Sequence, residues 1–346
     1  MPFKESDLSN IGSFFKELYP GFDGYGSMGY FHWKIVANYL HPGKINLVKD
    51  NNRIASTTSI TPKSLIFKNS DVAAAEIGDT YTHPDYWRQG MFSLLINQSR
   101  KDAEDSDVKF IYGTPNKLSL PGYQKKANFD IIKNLNVKSL VFPINIEHKI
   151  IKKSHWIFGR IIGYLSTLFF FLIFKIKTQF AYNRNISIKE IHEIPDDWDE
   201  FWLKASKSFD FIINRNKDAI KWRYFENPNK YHIIKLSKKK LIGYMVYRIN
   251  FNESLNRVKI ADYLTLPGEE KALKVGLKHI LDKAFKTGAN QVDLWGVNGS
   301  AFSKIFREIG FLIRGDIPVI CYKNSFSEKV DNCNSWHFTI GDSDNI

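Results

Sequence analysis

Between Thr82 and Ile96 the chain reads T-H-P-D-Y-W-R-Q-G-M-F-S-L-L-I, and its residue types and order here point to chemistry. The stretch falls between a strand and a helix, and such a turn leaves main-chain N–H groups unpaired where the helix begins. A diphosphate can sit on those groups. Gly90 lets the backbone approach the phosphates with no Cβ in the way. The plain alternative is a strand-to-helix turn that binds nothing.

The elements that position this turn occur twice. Trp33-Lys34 with Asn38 is answered by Trp222-Arg223 with Asn227, and 222 − 33 and 227 − 38 are both 189. Ile77-Gly78-Asp79-Thr80-Tyr81-Thr82-His83-Pro84 is answered by Ile260-Ala261-Asp262-Tyr263-Leu264-Thr265-Leu266-Pro267, a shared I-[GA]-D-x-x-T-x-P at offset 183 (262 − 79). Tyr112-Gly113 then matches Trp295-Gly296, and Asn128-Phe129 matches Gly310-Phe311. Self-similarity in constant order is the mark of a duplicated unit. Each copy predicts a Trp-bearing helix, then strands (INLVKD and IASTTSI; YHIIKL and LIGYMVYRI). A longer strand ending at the D-x-x-T-x-P turn follows, then a helix, a strand (VKFIYG; QVDLWG) and a last helix. Early strands followed by alternating helix and strand imply a mixed α/β sheet with helices on its faces.

The turn P-D-Y-W-R-Q-G-M-F resembles the P-x-Y-R-G-K-G-I-G turn of the GNAT superfamily of acyl-CoA N-acyltransferases, with Trp87, Arg88 and Phe92 departing from the usual residues. Tyr112-Gly113-Thr114-Pro115-Asn116, Ser119, Pro121-Gly122-Tyr123 and Asn128-Phe129 resemble the elements that close a GNAT domain over its cofactor. The resemblance covers residues 1 to about 140 and, in the second copy, the scaffold only. It implies an α/β fold of two tandem GNAT-like domains, each a mixed, mostly antiparallel sheet flanked by helices. The expected division is an acyl-CoA-binding domain over 1–145, a linker with an apolar helix over 146–185, a degenerate GNAT-like domain over 186–325 and a peripheral polar tail over 326–346. It also implies two central strands, about 74–82 and 108–113, that splay apart so that pantetheine fills the gap as an added strand would.

By the same resemblance acetyl-CoA or another acyl-CoA is the co-substrate, with no metal. Thr80, Tyr81, Thr82, Trp87, Arg88, Gln89, Gly90, Met91, Phe92 and Asn116 would bind it. A primary amine would attack the thioester directly, with Asp79 or Glu76 taking its proton, directly or through water, and Tyr123 supplying a proton to the thiolate. Asp79 also has a structural reading, because Asp262 repeats it in the copy where Gly268-Glu269-Glu270 replaces the phosphate turn and two acids would repel a diphosphate. Tyr123 could serve packing and Asn116 a helix cap. His83 beside the turn is read as incidental. Gly24-Tyr25-Gly26-Ser27-Met28-Gly29 satisfies G-x-G-x-x-G literally, but no strand precedes it as the dinucleotide fingerprint requires.

Net charge is +13, with 49 Lys and Arg against 36 Asp and Glu, which suits a polyanionic partner without choosing one. The basic runs are short and carry no nucleic-acid motif, so nucleic acid is not expected. The only cysteines are Cys321 and Cys333, so neither a disulfide framework nor a Cys-rich metal site is indicated, and a reducing cytoplasm fits. The first 320 residues hold no thiol for a covalent acyl-enzyme. The stretch 161–174 (IIGYLSTLFFFLIF) is uncharged and fourteen residues long, short of the roughly 20 that a spanning helix needs. Packing between domains or in a homodimer is the first expectation for it, and peripheral membrane contact the second. The acceptor is expected to be a small amine, an amino sugar or other cell-surface polysaccharide precursor. Two rivals remain at this point: a catalytically silent binding or scaffold protein, and an aminoacyl-tRNA-dependent peptidoglycan transferase with the same doubled architecture but no need of the phosphate turn.

Overall fold

A computed structural model describes residues 7–18, 27–51, 53–151, 156–179, 185–250 and 255–343. The Gly24–Gly26 part of the G-x-G-x-x-G loop and the Lys152-Lys153 run lie outside these residues; Ser27 caps the short helix that follows by accepting from the Tyr30 amide. The first half contributes strands β1 (Lys44–Asp50), β2 (Arg53–Phe67), β3 (Ser70–Thr82), β4 (Phe110–Gly113), β5 (Phe129–Ile131) and β6 (Val137–Pro143). Its helices are α1 (Leu8–Leu18), α2 (Met28–Phe31), α3 (Met91–Glu104) and α4 (Leu120–Lys126). Helices α5 (Glu147–Ile151) and α6 (Trp156–Thr178) join it to the second half. There the strands are β7 (Ser187–Ile191), β8 (Phe211–Ile213), β9 (His232–Ser237), β10 (Leu241–Asn250), β11 (Arg257–Thr265), β12 (Gln291–Val297), β13 (Leu312–Ile317), β14 (Ile320–Tyr322) and β15 (Trp336–His337). The helices are α7 (Trp198–Ser206), α8 (Lys217–Ile220), α9 (Ala272–Lys286), α10 (Ala301–Ile309) and α11 (Ser325–Val330).

Two sheets result, in the orders β15-β8-β2-β3-β4-β14-β5, with β1 also on β2, and β13-β6-β12-β11-β10-β9-β7. Pairing is antiparallel except at β3·β4, β11·β12 and the short β15·β8 contact. The duplicated mixed sheets expected from the sequence are therefore present. The Trp-bearing segments match in detail: α2 and α8 each run into a wider helical turn, closed by Ala37 N–H to His32 O at 2.9 Å and Glu226 N–H to Lys221 O at 3.0 Å. Such i→i+5 turns are rare, so their recurrence at equivalent places reflects common descent of the two units.

The division near residue 145 is not a boundary between sheets. Strand β6 leaves the first half to lie between β12 and β13, and β14 returns to lie between β4 and β5. The first half thus lends β6 to the second sheet, and the second half lends β8, β14 and β15 to the first. Val137, Leu140 and Phe142 are buried on β6, as are Ile320 and Cys321 on β14. Full burial of a side chain such as Phe142 contributes roughly 2–3 kcal/mol.

The tail, expected to be peripheral, is built into the fold. β15 pairs parallel with β8, and Phe338, Thr339, Ile340 and Asp342 are buried. Its polar residues satisfy a buried charge: Asp342 accepts from the Arg215 guanidinium at 2.8 Å, and Arg215 is also bidentate to Asp262. Composition alone reads Ser and Asp as solvent-facing, whereas Asp342 and Ser343 are buried here, while Asn332 and Asn334 stay exposed. Helix α6 also departs from expectation. It is 23 residues long, and one side packs on α5, α9 and α10 while the other is exposed.

Candidate active site

The site begins where two parallel strands stop pairing. β3 and β4 are in register from Ala74↔Phe110 to Glu76↔Tyr112; β4 ends at Gly113 while β3 continues to Thr82. Gly113 is needed at the junction, since a Cβ there would stand 2.9 Å from the Ile77 carbonyl oxygen. On its other edge β3 bulges: Ser59 faces Gly78 and Thr57 faces Tyr81, and Asp79 adopts φ +47°. A bulge bends its strand and re-aims side chains. Beyond it lies a cavity of about 380 Å³, walled by β3 (Glu76, Gly78, Asp79, Thr80, Tyr81), by the loop after β4 (Thr114, Asn116, Ser119) and by Tyr123 of α4.

The cavity thus brings together Glu76, Asp79, Tyr123, Thr80, Tyr81 and Asn116. The geometry of the two carboxylates is specific. Asp79 Oδ2 lies 2.5 Å from Lys34 Nζ and accepts from Ser59 Oγ at 2.6 Å, with both members of the ion pair almost fully buried. Glu76 is 3.2 Å from Lys63 Nζ, again with both side chains buried. Each carboxylate is thus engaged by a buried lysine. The Tyr123 and Thr80 hydroxyls are hydrogen-bonded at 2.8 Å. Burial pushes the Tyr123 phenol well above its ordinary value of 10.0, with the Thr80 bond opposing. Tyr123 is therefore protonated at neutral pH and suited to donate rather than accept. Asn116 Oδ1 accepts from the Leu118 and Ser119 amides, both at 2.9 Å, so it shapes the loop as well as lining the cavity.

The turn after Thr82 stands at the end of the same strand. Pro84–Tyr86 form a short helical turn, Arg88 has φ +64° and Gly90 has φ +82°. Gly90 is the N-cap of α3 and offers no side-chain cap. Among the described residues the first main-chain amide of α3 with a carbonyl partner is Leu94, to Gly90 O at 3.1 Å. Among the described residues the amides of 88–93 donate to no main-chain carbonyl, on a turn exposed at 87–90, and such amides are the donor set a diphosphate requires. Trp87 does not obstruct them: its indole folds back and donates to Thr82 O at 2.8 Å, with 62% of the residue exposed. Phe92 leans on Tyr123 edge-on at 5.3 Å and fits because position 122 is Gly, where a Cβ would meet its ring at 2.7 Å. His83 accepts from the Asp85 amide and bonds Arg53, so it belongs to the local turn.

Sequence reasoning missed Lys34 as the partner of Asp79, although a basic residue follows the repeated Trp in both copies. The sequence reads the second half as a partner that shapes the acceptor pocket or stabilises the first, and its Trp295, Asp316, Ile317 and Pro318 do line the cavity. Asp316 is paired with Lys138, so the β6–β13 contact carries this wall.

The second copy has closed the same features. The Tyr263 hydroxyl donates to Trp295 O at 2.9 Å, bridging β11 to β12. His337 from the tail packs on Tyr263. Asp262 is fully buried; burial alone would raise its carboxyl, but the Arg215 guanidinium and then His337 hold it far below the usual range. At the turn the Gly268 amide donates to the Glu270 carboxylate at 3.0 Å, so the chain supplies its own anion.

Residues 2–131 match the family model described as acetyltransferase (GNAT) domain. The first half of this chain is a GNAT acetyltransferase domain. Solved structures extend the likeness to both halves. A tandem GNAT protein from the clavulanic acid biosynthesis pathway superposes with a TM-score of 0.59 at 11% identity, covering 93% of this chain and 97% of that one. A probable N-acyltransferase from Enterococcus faecalis V583 gives 0.59 at 12% identity, over 93% and 71% of the respective chains. Saccharomyces cerevisiae N-myristoyltransferase with bound myristoyl-CoA gives 0.61 at 12% identity, over 92% and 80%. At such identities the shared property is the tandem GNAT fold. No curated protein matches the chain. Residues 2–131 thus carry the GNAT domain, both halves share the tandem GNAT fold, and the turn at 84–92 and the β3–β4 gap lie within the matched region.

Proposed function

We propose that the first GNAT domain transfers an acyl group from acyl-CoA to a primary amine by direct attack, with the second half as a non-binding partner that walls the acceptor side. The observation that carries this reading is the β3–β4 gap ending at a helix whose first amides, among the described residues, donate to no main-chain carbonyl. When bound there, the co-substrate supplies a thioester for the amine to attack. The amides of 88–93 grip its diphosphate, and main chain of β3 at Thr80–Thr82 faces its pantetheine arm. Tyr123, held protonated, gives the proton that the departing sulfur needs. Asp79, tied to Lys34, fixes the bulge; the amine's own proton leaves through water toward the Glu76–Asp79 side of the cavity.

The acyl group is taken as acetyl because the matched family is one of acetyltransferases. The hydroxyls and amide of Thr80, Thr114, Asn116 and Ser119, with Asp316 opposite, suit a small hydroxyl-bearing amine, and an amino sugar or cell-surface polysaccharide precursor has that chemistry. Calorimetric titration with acetyl-CoA tests the assignment, followed by thiol-release assays over a panel of amino sugars and other amines. Saturable binding that Gly90→Glu abolishes supports it; no binding at millimolar ligand removes it. A silent binding protein is the second reading, favoured by the lysine-paired state of both carboxylates, and it predicts binding without turnover of any amine.

A further inference from the structure

Helix α6 presents a feature that acyl transfer does not use. Its inner side is fixed along its length to the folded domain. A Cβ on Gly163 would stand 2.6 Å from Glu147 Cβ of α5, Ser166 Oγ accepts from the Ile146 amide at 3.3 Å, and Phe171 and Phe174 each meet Phe285 of α9 at 5.3 Å. The outer side is apolar and uncovered. Phe158, Ile161, Leu165, Phe169, Leu172 and Ile176 recur at helical spacing, with 52–63% of each residue exposed. A continuous apolar face of this kind on a soluble domain marks an interaction surface.

The charges around this face choose its occupant. The helix carries Arg160, Lys175 and Lys177 and no acid. Arg160 stacks on Trp156 at one end, and Lys175 lies over Phe171 at the other, with Lys286 of α9 exposed nearby. The neighbouring acid, Asp282, is shared by Lys278 at 2.7 Å and, on its other oxygen, Lys175 at 3.5 Å, so two cations flank one carboxylate here. An apolar face edged by cations, with Trp and Tyr at its borders, matches the chemistry of an anionic bilayer surface. By length and composition α6 could cross a membrane, but its packed inner side keeps it on the domain. We propose that α6 lies in the plane of an anionic membrane, outer face down, and docks the whole chain there as a peripheral protein.

The test uses the full chain, with sedimentation on vesicles of phosphatidylcholine with and without phosphatidylglycerol, at low and high salt. Vesicles containing phosphatidylglycerol should bind at least about tenfold more tightly than phosphatidylcholine alone, the excess falling with salt. Leu165→Glu with Phe169→Glu should lose binding to both while keeping the wild-type circular dichroism and melting curve. Lys175→Gln with Lys177→Gln should lose only the phosphatidylglycerol excess. Failure of the wild type to bind, or undiminished binding of the glutamate variant, overturns the proposal. So does bound protein that resists alkaline carbonate, which would mean insertion across the bilayer. A wild-type dimer by light scattering that the glutamate variant dissociates, with no vesicle bound, would assign the face to a second copy instead. None of these outcomes depends on acyl transfer.

Discussion

Trp33 and Trp222 stack on one another, ring centroids 4.6 Å apart and planes 18° from parallel, and each indole donates to the other's carbonyl oxygen, at 2.7 and 3.2 Å. Equivalent residues of the two copies thus meet at a pseudo-twofold junction. The reciprocal bonds satisfy both buried donors and fix the relation of the halves at a point remote in sequence from the exchanged strands.

Trp33→Ala or Trp222→Ala removes a buried ring, the stack and one hydrogen bond, and leaves the other carbonyl without its donor. The expected loss is about 3–5 kcal/mol. Urea denaturation followed by fluorescence and by far-ultraviolet dichroism measures it. Both probes should report one shared transition, because each sheet contains strands from both halves.

The Lys34–Asp79 pair gives a second prediction. Lys34→Met alone removes the buried cation beside Asp79 and should destabilise by about 3–5 kcal/mol, whereas Lys34→Met with Asp79→Asn, which drops the charge and tolerates the positive φ, should recover part of that loss. If Asp79 only fixes the bulge, the double variant retains measurable turnover. Loss of all turnover in a folded double variant would instead assign proton removal to Asp79.

Tyr123→Phe deletes the phenolic proton while the ring still packs on Phe92. A fall in kcat of about 10²–10⁴ with little change in KM is expected if Tyr123 is the acid. Since burial raises this phenol, wild-type kcat should show no decline from its ionisation up to pH 10. The neutral phenol is the form the fold favours, so its contribution to stability is complete below pH 10 and is lost as pH rises further toward the folded value.

The tail offers a fourth test. Deleting residues 336–346 removes Asp342 from Arg215 and His337 from Tyr263, and should lower stability by more than about 3 kcal/mol. For the intact chain, Asp262 lies below its ordinary value of 3.8 in the fold. Its stabilising effect is present above about pH 4 and fades as pH falls toward the folded value, which an acid titration of the melting temperature reads.

The turn at 84–92 and the duplication were legible because both are local patterns: fixed spacing, one glycine where φ must be positive, a proline where the strand stops. Strand exchange was not. V-K-S-L-V-F-P of β6 has the same apolar content whichever sheet receives it, so nothing in its residues names the acceptor. Lys34 was missed for a related reason. A lysine beside a conspicuous Trp reads as solvated, and only the fold brings it, 45 positions away in the chain, to Asp79. The tail and α6 failed in opposite senses: polar side chains turned inward to Arg215, and apolar ones turned outward.

Exchange of β6 and β14 gives the duplicated gene an unusual heredity. A second copy whose turn is occupied by its own carboxylate would ordinarily be free to decay or be cut away. Here its deletion would pull β14 from between β4 and β5 and strip β8 and β15 from the other edge, so the second copy is inherited with its twin, and the two have become a single evolutionary unit.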